Sequence, residues 1–165
     1  MNKTRFPIFL AILMAAALPG QTPPVDEKLT ISGDIPQALT LTKDDLAKMP
    51  RTTVAWSDRG PKLNYEGVRL YEILKRAGAP LDKQLSGKAL ASYVLAEARD
   101  GYQVVLSLAE VDPGFTENQI LVADSADGQP LPANRGPLRL VVASDKEGAR
   151  SVRMLERLTV VRLRK

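Results

Sequence analysis

Residues 136–160 read GPLRLVVASDKEGARSVRMLERLTV, which is a strand, a charged loop and a second strand in succession. The run over 138–144 is largely apolar and typical of a buried strand, and 154–163 alternates apolar and polar residues like a further strand. The loop between them carries three cations, Lys146, Arg150 and Arg153. Such a loop is either an ordinary solvated basic hairpin or a cradle for an anionic ligand.

The residues just before this stretch extend the candidate cradle. Asn134 and Arg135 precede Gly136, where the missing side chain permits close approach of the backbone to a ligand. Arg135 offers a planar guanidinium that suits a carboxylate, a phosphate or the edge of a heteroaromatic ring. Trp56, the lone tryptophan, ends an earlier strand. It either covers one end of the core or lies under a planar ligand.

The remaining patterns predict an α+β fold with a mixed, largely antiparallel β-sheet and short helices. Strands are predicted over 29–33, 38–42, 52–56, 89–98, 102–108 and 119–124. Residues 68–79 have helical spacing, and Thr42 and Ser107 are placed as N-caps of short helical segments. Asp100-Gly101 predicts the turn of a β-hairpin. Together these patterns give about seven to nine strands and two or three helices, in an order unlike a regular βαβ alternation.

The composition excludes several kinds of site. The chain contains no cysteine and no histidine. It therefore has no thiolate metal ligand, no disulfide, no Ser-His-Asp triad and no histidine general base. The same absence argues against the usual zinc and copper sites, so we expect no metal ligated by the protein.

Residues 1–20 have the pattern of a secretory signal peptide. Lys3 and Arg5 flank the start of FPIFLAILMAAALPG, whose apolar run is shorter than the roughly 20 residues of a membrane-spanning helix. We expect 21–27 to be a flexible leader and 28–165 to be one domain. Removal of 1–20 lowers the net charge from +4 to +2, so the basic composition does not indicate a nucleic-acid partner. The pattern predicts a periplasmic or secreted protein.

Five blocks, in this order and spacing, resemble the molybdopterin-binding domain of the sulfite oxidase superfamily, in its small, secreted, single-domain form. They read LTISGDI with LTLTKDDLAKMP, then YEGVRLYEILKRAGAP, ARDGYQVVLSLAEVDP, ILVADSADGQPL and the stretch quoted first. The resemblance implies a mixed α+β fold that places a pterin in a cleft lined by loops. In this chain the corresponding loops are 134–136 and 146–153.

The chain departs from the catalytic members of that family at the metal. Those members carry a molybdenum-ligating cysteine near the end of the strand that here reads TTVAWSD, where this chain has Ala55, Trp56 or a neighbour. The His-Gly pair that often precedes the Pro-Leu-Arg block is Arg135-Gly136 here. Ser151 stands where an aromatic residue often follows the arginine. The resemblance therefore leaves the stacking face to Trp56 or Tyr65.

Three functional hypotheses follow from the resemblance and the missing cysteine. The first is binding of a pterin or molybdopterin-like ligand without redox catalysis, as a sensor for the periplasmic domain of a membrane receptor. The second is a molybdopterin-dependent oxidoreductase with an atypical, cysteine-free metal site. The third is an interaction module that has kept the fold and lost the ligand. We adopt the first, with no catalytic residue. Seven residues are expected to bind the ligand: Trp56, Tyr65, Asn134, Arg135, Lys146, Arg150 and Arg153.

Overall fold

A computed structural model describes residues 28–164 of the 165-residue chain. The predicted signal peptide and leader lie outside these residues, and the division of the chain at 20 and 27 stays a prediction. The described part forms ten strands and three short α-helices: β1 (Lys28–Gly33), β2 (Leu39–Thr42), α1 (Lys43–Ala47), β3 (Arg51–Trp56), β4 (Leu63–Arg69), α2 (Leu70–Arg76), β5 (Ser92–Ala98), β6 (Gln103–Ser107), α3 (Leu108–Val111), β7 (Ile120–Ala126), β8 (Gln129–Pro130), β9 (Arg139–Val142) and β10 (Leu155–Arg162). No helix between 28 and 164 is both long and apolar enough to cross a membrane.

The strands form two sheets. The first has the order β2-β1-β10-β5-β6, in which β1 and β10 pair in parallel and all other neighbours pair antiparallel. The second has the order β3-β4-β7-β8, with β9 also paired to β7, and its pairs are all antiparallel. The predicted α+β fold with a mixed, largely antiparallel sheet is confirmed.

The core has two parts because the second sheet buries both of its faces. The larger part joins the inner faces of both sheets to α2, whose Leu70, Ile73 and Leu74 are fully buried. The smaller part lies among β3, β4, β7 and β9 and contains both Trp56 and Tyr65. All four residues of β9 are buried, as expected for a strand that packs on both sides. The candidate ligand residues Trp56 and Tyr65 therefore belong to this smaller cluster.

Local signals in the sequence set the starts of two helices. The hydroxyl of Thr42 accepts from the Asp45 N–H, and the hydroxyl of Ser107 accepts from the Glu110 N–H. The backbone N–H of each cap in turn donates to the carboxylate of that acid, which completes a capping box. Both predicted N-caps are confirmed, and Gly101 turns the predicted hairpin at a φ of +86°.

The prediction of a helix over 68–79 is wrong at its start. Leu63–Arg69 forms β4, which lies between β3 and β7, and the helix begins only at Leu70. Gly67 permits this pairing, since a Cβ there would lie 2.0 Å from the carbonyl oxygen of Val122. The predicted strand over 89–98 also starts later, at Ser92, where its pairing with β10 ends.

Candidate functional site

Two loops meet at one end of the smaller apolar cluster. The β3–β4 loop comprises 57–62, and the β9–β10 loop comprises 143–154. The indole Nε1 of buried Trp56 donates to the carbonyl oxygen of Asp145 at 3.2 Å. Arg59 and Glu147 form an ion pair of 3.0 Å between the loops, with both side chains largely exposed. The Trp56 contact joins the end of β3 to the β9–β10 loop, and the Arg59–Glu147 pair joins the two loops at the surface.

Arg139 lies beneath these loops on β9 and is 0% exposed. Its guanidinium carbon is 5.0 Å from the ring centroid of Trp56 and 5.4 Å from that of Tyr65. Nη1 donates to the Tyr65 hydroxyl at 3.2 Å. Nε is buried and has no hydrogen-bond partner among the described residues. The cation–π contacts stabilise the guanidinium on one face of each ring, and both rings are buried.

Asp58 neutralises Arg139 and joins it to Arg153. One carboxylate oxygen, Oδ2, accepts from Nη2 of Arg139 and from Nη2 of Arg153, each at 2.8 Å. The hydrogen bond from Arg153 is the main cause of a lowered pKa of Asp58; burial opposes it, and Arg139 lowers the pKa further. A Cβ on Gly148 would lie 2.3 Å from Oδ1, so the β9–β10 loop rests directly on the carboxylate. We call Asp58, Arg139 and Arg153 the Asp58 cluster.

Arg150 is held by two other carboxylates. Its Nε and Nη2 donate to the two oxygens of Asp145 at 2.8 and 2.7 Å, and its Nη1 donates to Glu110 at 2.6 Å. These hydrogen bonds, from Asp145 first and Glu110 second, raise the pKa of Arg150. Because Glu110 also caps α3, Arg150 fastens the β9–β10 loop to that helix. The guanidinium has little donor capacity left for a ligand.

The structure brings some of the predicted ligand residues together and separates others. Trp56 and Tyr65 are neighbours, with ring centroids 6.0 Å apart. Arg150 and Arg153 both lie on the β9–β10 loop, but they pair with different acids. Three of the seven predicted ligand residues form no side-chain hydrogen bond or ion pair with the rest of 28–164: Asn134, Arg135 and Lys146. A ligand-binding role for these seven residues stays a prediction.

Sequence reasoning assigned no ligand role to Arg139 or Asp58. A signal for Arg139 was present, since a lone arginine inside an apolar, buried run requires an internal partner. The partner itself was not detectable, because Asp58 is 81 positions from Arg139 and 95 from Arg153 along the chain. Only the folded chain shows that two arginines meet at one acid.

The arrangement fits the anionic part of a ligand better than a planar ring. Two guanidiniums converge on one point, as they would on a phosphate or carboxylate. The rings of Trp56 and Tyr65 are buried, with Arg139 over one face of each, and the cavity beside Asp58 and Arg153 is about 200 Å³, below the usual size of a ligand pocket. A pterin ring therefore does not fit unless the loops move. Within 28–164 no group of three or more acidic side chains is placed to hold a metal ion.

Comparison with known proteins agrees with this architecture. A family model described as "Oxidoreductase molybdopterin binding domain" matches residues 16–165. Among solved structures, the chain is similar to the sulfane dehydrogenase SoxCD from Paracoccus pantotrophus, with a TM-score of 0.64 and 24% identity over 82% of this chain and 38% of that chain. This likeness shows the fold alone, and the chain spans well under half of that structure's length. No curated protein matches the chain.

Proposed function

The chain belongs to the oxidoreductase molybdopterin-binding domain family, and we propose on that premise that it binds a pterin-type ligand without redox catalysis. The observation that carries the proposal is the convergence of Arg139 and Arg153, each 2.8 Å from a single oxygen of Asp58. Two charge-assisted donors aimed at one point form a site for an anionic group, such as the phosphate of a pterin-type ligand. The site lies between the β3–β4 and β9–β10 loops.

The absence of catalysis is proposed from the donor atoms of the chain. The resemblance to the sulfite oxidase superfamily implies a cysteine thiolate as the protein's bond to molybdenum, and this chain contains no cysteine. Trp56 cannot replace it, since its indole nitrogen is a donor that already binds the Asp145 carbonyl. The protein would therefore hold a ligand by hydrogen bonds, charge and packing.

We also propose a periplasmic or secreted location and a membrane receptor's periplasmic domain as partner. The signal-peptide pattern of residues 1–20 supports the location. The β9–β10 loop supports a sensing role, because Lys146 and Glu147 are exposed there and would move if the loop opened. Fractionation of cells that express the full chain tests the location, and capture of one membrane protein only by ligand-loaded protein tests the partner.

Mass spectrometry of small molecules released from protein purified out of its native compartment tests the proposed ligand. We expect a pterin-type molecule, and we expect that adding it back raises the melting temperature. A ligand at 100 times its dissociation constant stabilises a protein by about 2.7 kcal/mol. Arg153→Gln should weaken the shift, whereas Arg157→Gln, which breaks an exposed pair with Glu97, should not. A chain with no pterin and no shift would instead be an interaction module.

A molybdopterin-dependent oxidoreductase with a cysteine-free site is the alternative function. The family's description, which names an oxidoreductase domain, favours it. Metal analysis and an assay with an artificial electron donor separate the two functions. One molybdenum per chain together with reductase activity would replace the binding function by the enzymatic one.

A further inference from the structure

We propose that Asp58 is an internal ligand of this site: its carboxylate occupies the place of an external dianion of the phosphate class and is displaced when that dianion binds. The identity of the external dianion, the phosphate of a pterin-type ligand, rests on the proposed function. The displacement itself rests only on the contacts of the Asp58 cluster.

Asp58 occupies the one point on which both guanidiniums converge. Arg139 and Arg153 both donate to Oδ2, and Gly148 leaves no room on the side of Oδ1. An incoming anion cannot reach the two guanidiniums while the carboxylate stays. Binding therefore requires that Asp58 leave, and that the β9–β10 loop release it.

The charges of the cluster favour a dianion over a carboxylate. Two guanidinium charges, one buried on Arg139 and one half exposed on Arg153, face the single carboxylate charge of Asp58. A phosphate-class dianion would balance both cations. It also carries more acceptor oxygens than a carboxylate, and Arg139 Nε is a buried donor without a partner among the described residues. The cluster thus has positive charge and a hydrogen-bond donor that Asp58 leaves without a partner.

A small cavity gives an external anion access to the cluster. The cavity of about 200 Å³ is bordered by Asp58, Tyr102, Gly148 and Arg153. Arg153 is half exposed, so one of the two donors can be approached from solvent. Asp100 also borders the cavity, and its negative charge weakens anion binding while the loops are closed. A small oxyanion fits this space more readily than a whole pterin.

The position of Trp56 provides a direct signal of displacement. It is the only tryptophan in the chain, it packs under Arg139, and it is bonded to Asp145 of the β9–β10 loop. Release of Asp58 by an anion should change the surroundings of the indole. Intrinsic fluorescence therefore reports on the loops without any label.

The test compares Asp58→Asn with the wild-type protein, using inorganic phosphate as probe and sodium chloride at equal ionic strength as control. Asp124→Asn is the matched variant, because it breaks another carboxylate–arginine pair, with Arg51, outside the two loops. We expect phosphate to raise the melting temperature of Asp58→Asn and to shift its Trp56 emission. Phosphate should bind Asp58→Asn at least tenfold more tightly than wild type. Asp124→Asn should respond to phosphate as wild type does.

Three results would overturn the displacement. The first is phosphate binding of equal strength in wild type and Asp58→Asn. The second is a response of Asp124→Asn to phosphate as large as that of Asp58→Asn. The third is an Asp58→Asn protein that remains unfolded even with phosphate. The last result counts because an anion able to replace the carboxylate would restore the fold. A wild-type protein that carries a pterin while Asp58→Asn ignores phosphate leaves the proposed function standing without displacement. If Asp58→Asn binds phosphate but neither protein carries a pterin, the displacement stands and the proposed function fails.

Discussion

Removal of the charge of Asp58 should destabilise the protein more than removal of the charge of Arg139. Asp58→Asn leaves the guanidinium of Arg139 fully buried without a counterion, and breaking a buried ion pair in this way costs about 3–5 kcal/mol. Arg139→Met leaves Asp58 at 17% exposure, still bonded to Arg153. The methionine also fills the space on Trp56 and Tyr65, so we expect a cost of about 1–2 kcal/mol.

Urea unfolding of the two variants and of the double variant measures this asymmetry. In Asp58→Asn with Arg139→Met no buried charge remains, so the double variant should be nearly as stable as Arg139→Met alone. The coupling between the two sites then equals the cost of Asp58→Asn alone, about 3–5 kcal/mol. Arg157→Met provides a baseline, since its pair with Glu97 is partly exposed and should contribute about 0–1 kcal/mol. Phosphate must be absent from the buffer.

The reverse order of stabilities would refute this reasoning. If Arg139→Met unfolded more easily than Asp58→Asn, the packing of the arginine on the two rings would matter more than its charge. Additive effects of the two substitutions would mean that Asp58 and Arg139 do not interact in solution. Either result would also remove the electrostatic basis for treating Asp58 as a stand-in for a ligand.

Three further predictions concern the same loops. Gly148→Ala places a Cβ 2.3 Å from Oδ1 of Asp58 and should lower the free energy of unfolding by about 1–3 kcal/mol. Gly60→Ala is the control: the atom nearest to its Cβ is 3.8 Å away, so the urea midpoint should hardly change. The folded-state pKa of Asp58 lies below the usual 3.8, so the stability that its carboxylate contributes is present above about pH 4 and is lost as pH falls through the folded-state pKa. The difference in urea midpoint between wild type and Asp58→Asn should therefore shrink on acidification. A difference that stays constant with pH would contradict this. Arg150→Ala removes three charge-assisted hydrogen bonds from a side chain that is 36% exposed and should cost about 1–3 kcal/mol, while a loss below that of the Arg157 baseline would show that the link to α3 is unimportant.

Features that depend on neighbouring residues could be read from the sequence. Thr42 and Ser107 each precede an acid by three positions, and both form the capping boxes that this spacing favours. Asp100-Gly101 turned the expected hairpin for the same reason, because a tight turn is set by the residues within it. The fold class followed from these local elements and from the alternation along the strands.

Features that depend on distant partners were misread or missed. Val68 and Tyr71 are three positions apart and both buried, which matches a helix, yet Val68 belongs to β4 because β3 and β7 pair on either side of it. Arg139 is a charge in a buried strand and therefore requires an internal partner, but no rule of spacing connects it to Asp58. The β9–β10 loop was among the loops expected to line the site, the β3–β4 loop and its Asp58–Arg139 ion pair were not foreseen, and a ligand-binding role for the predicted residues stays a prediction.

The contacts between the two loops bear on how strongly a ligand must bind to open them. The exposed Arg59–Glu147 pair and the hydrogen bond of Trp56 each contribute about 1 kcal/mol or less. The Asp58 cluster is the strongest of these contacts, and if its release costs about 3 kcal/mol, the affinity of an external anion falls by about two orders of magnitude. A ligand whose intrinsic affinity for the open site is nanomolar would then bind with submicromolar strength. With that affinity, the bound fraction follows changes in ligand concentration. Asp58→Asn should bind the same ligand more tightly and release it more slowly.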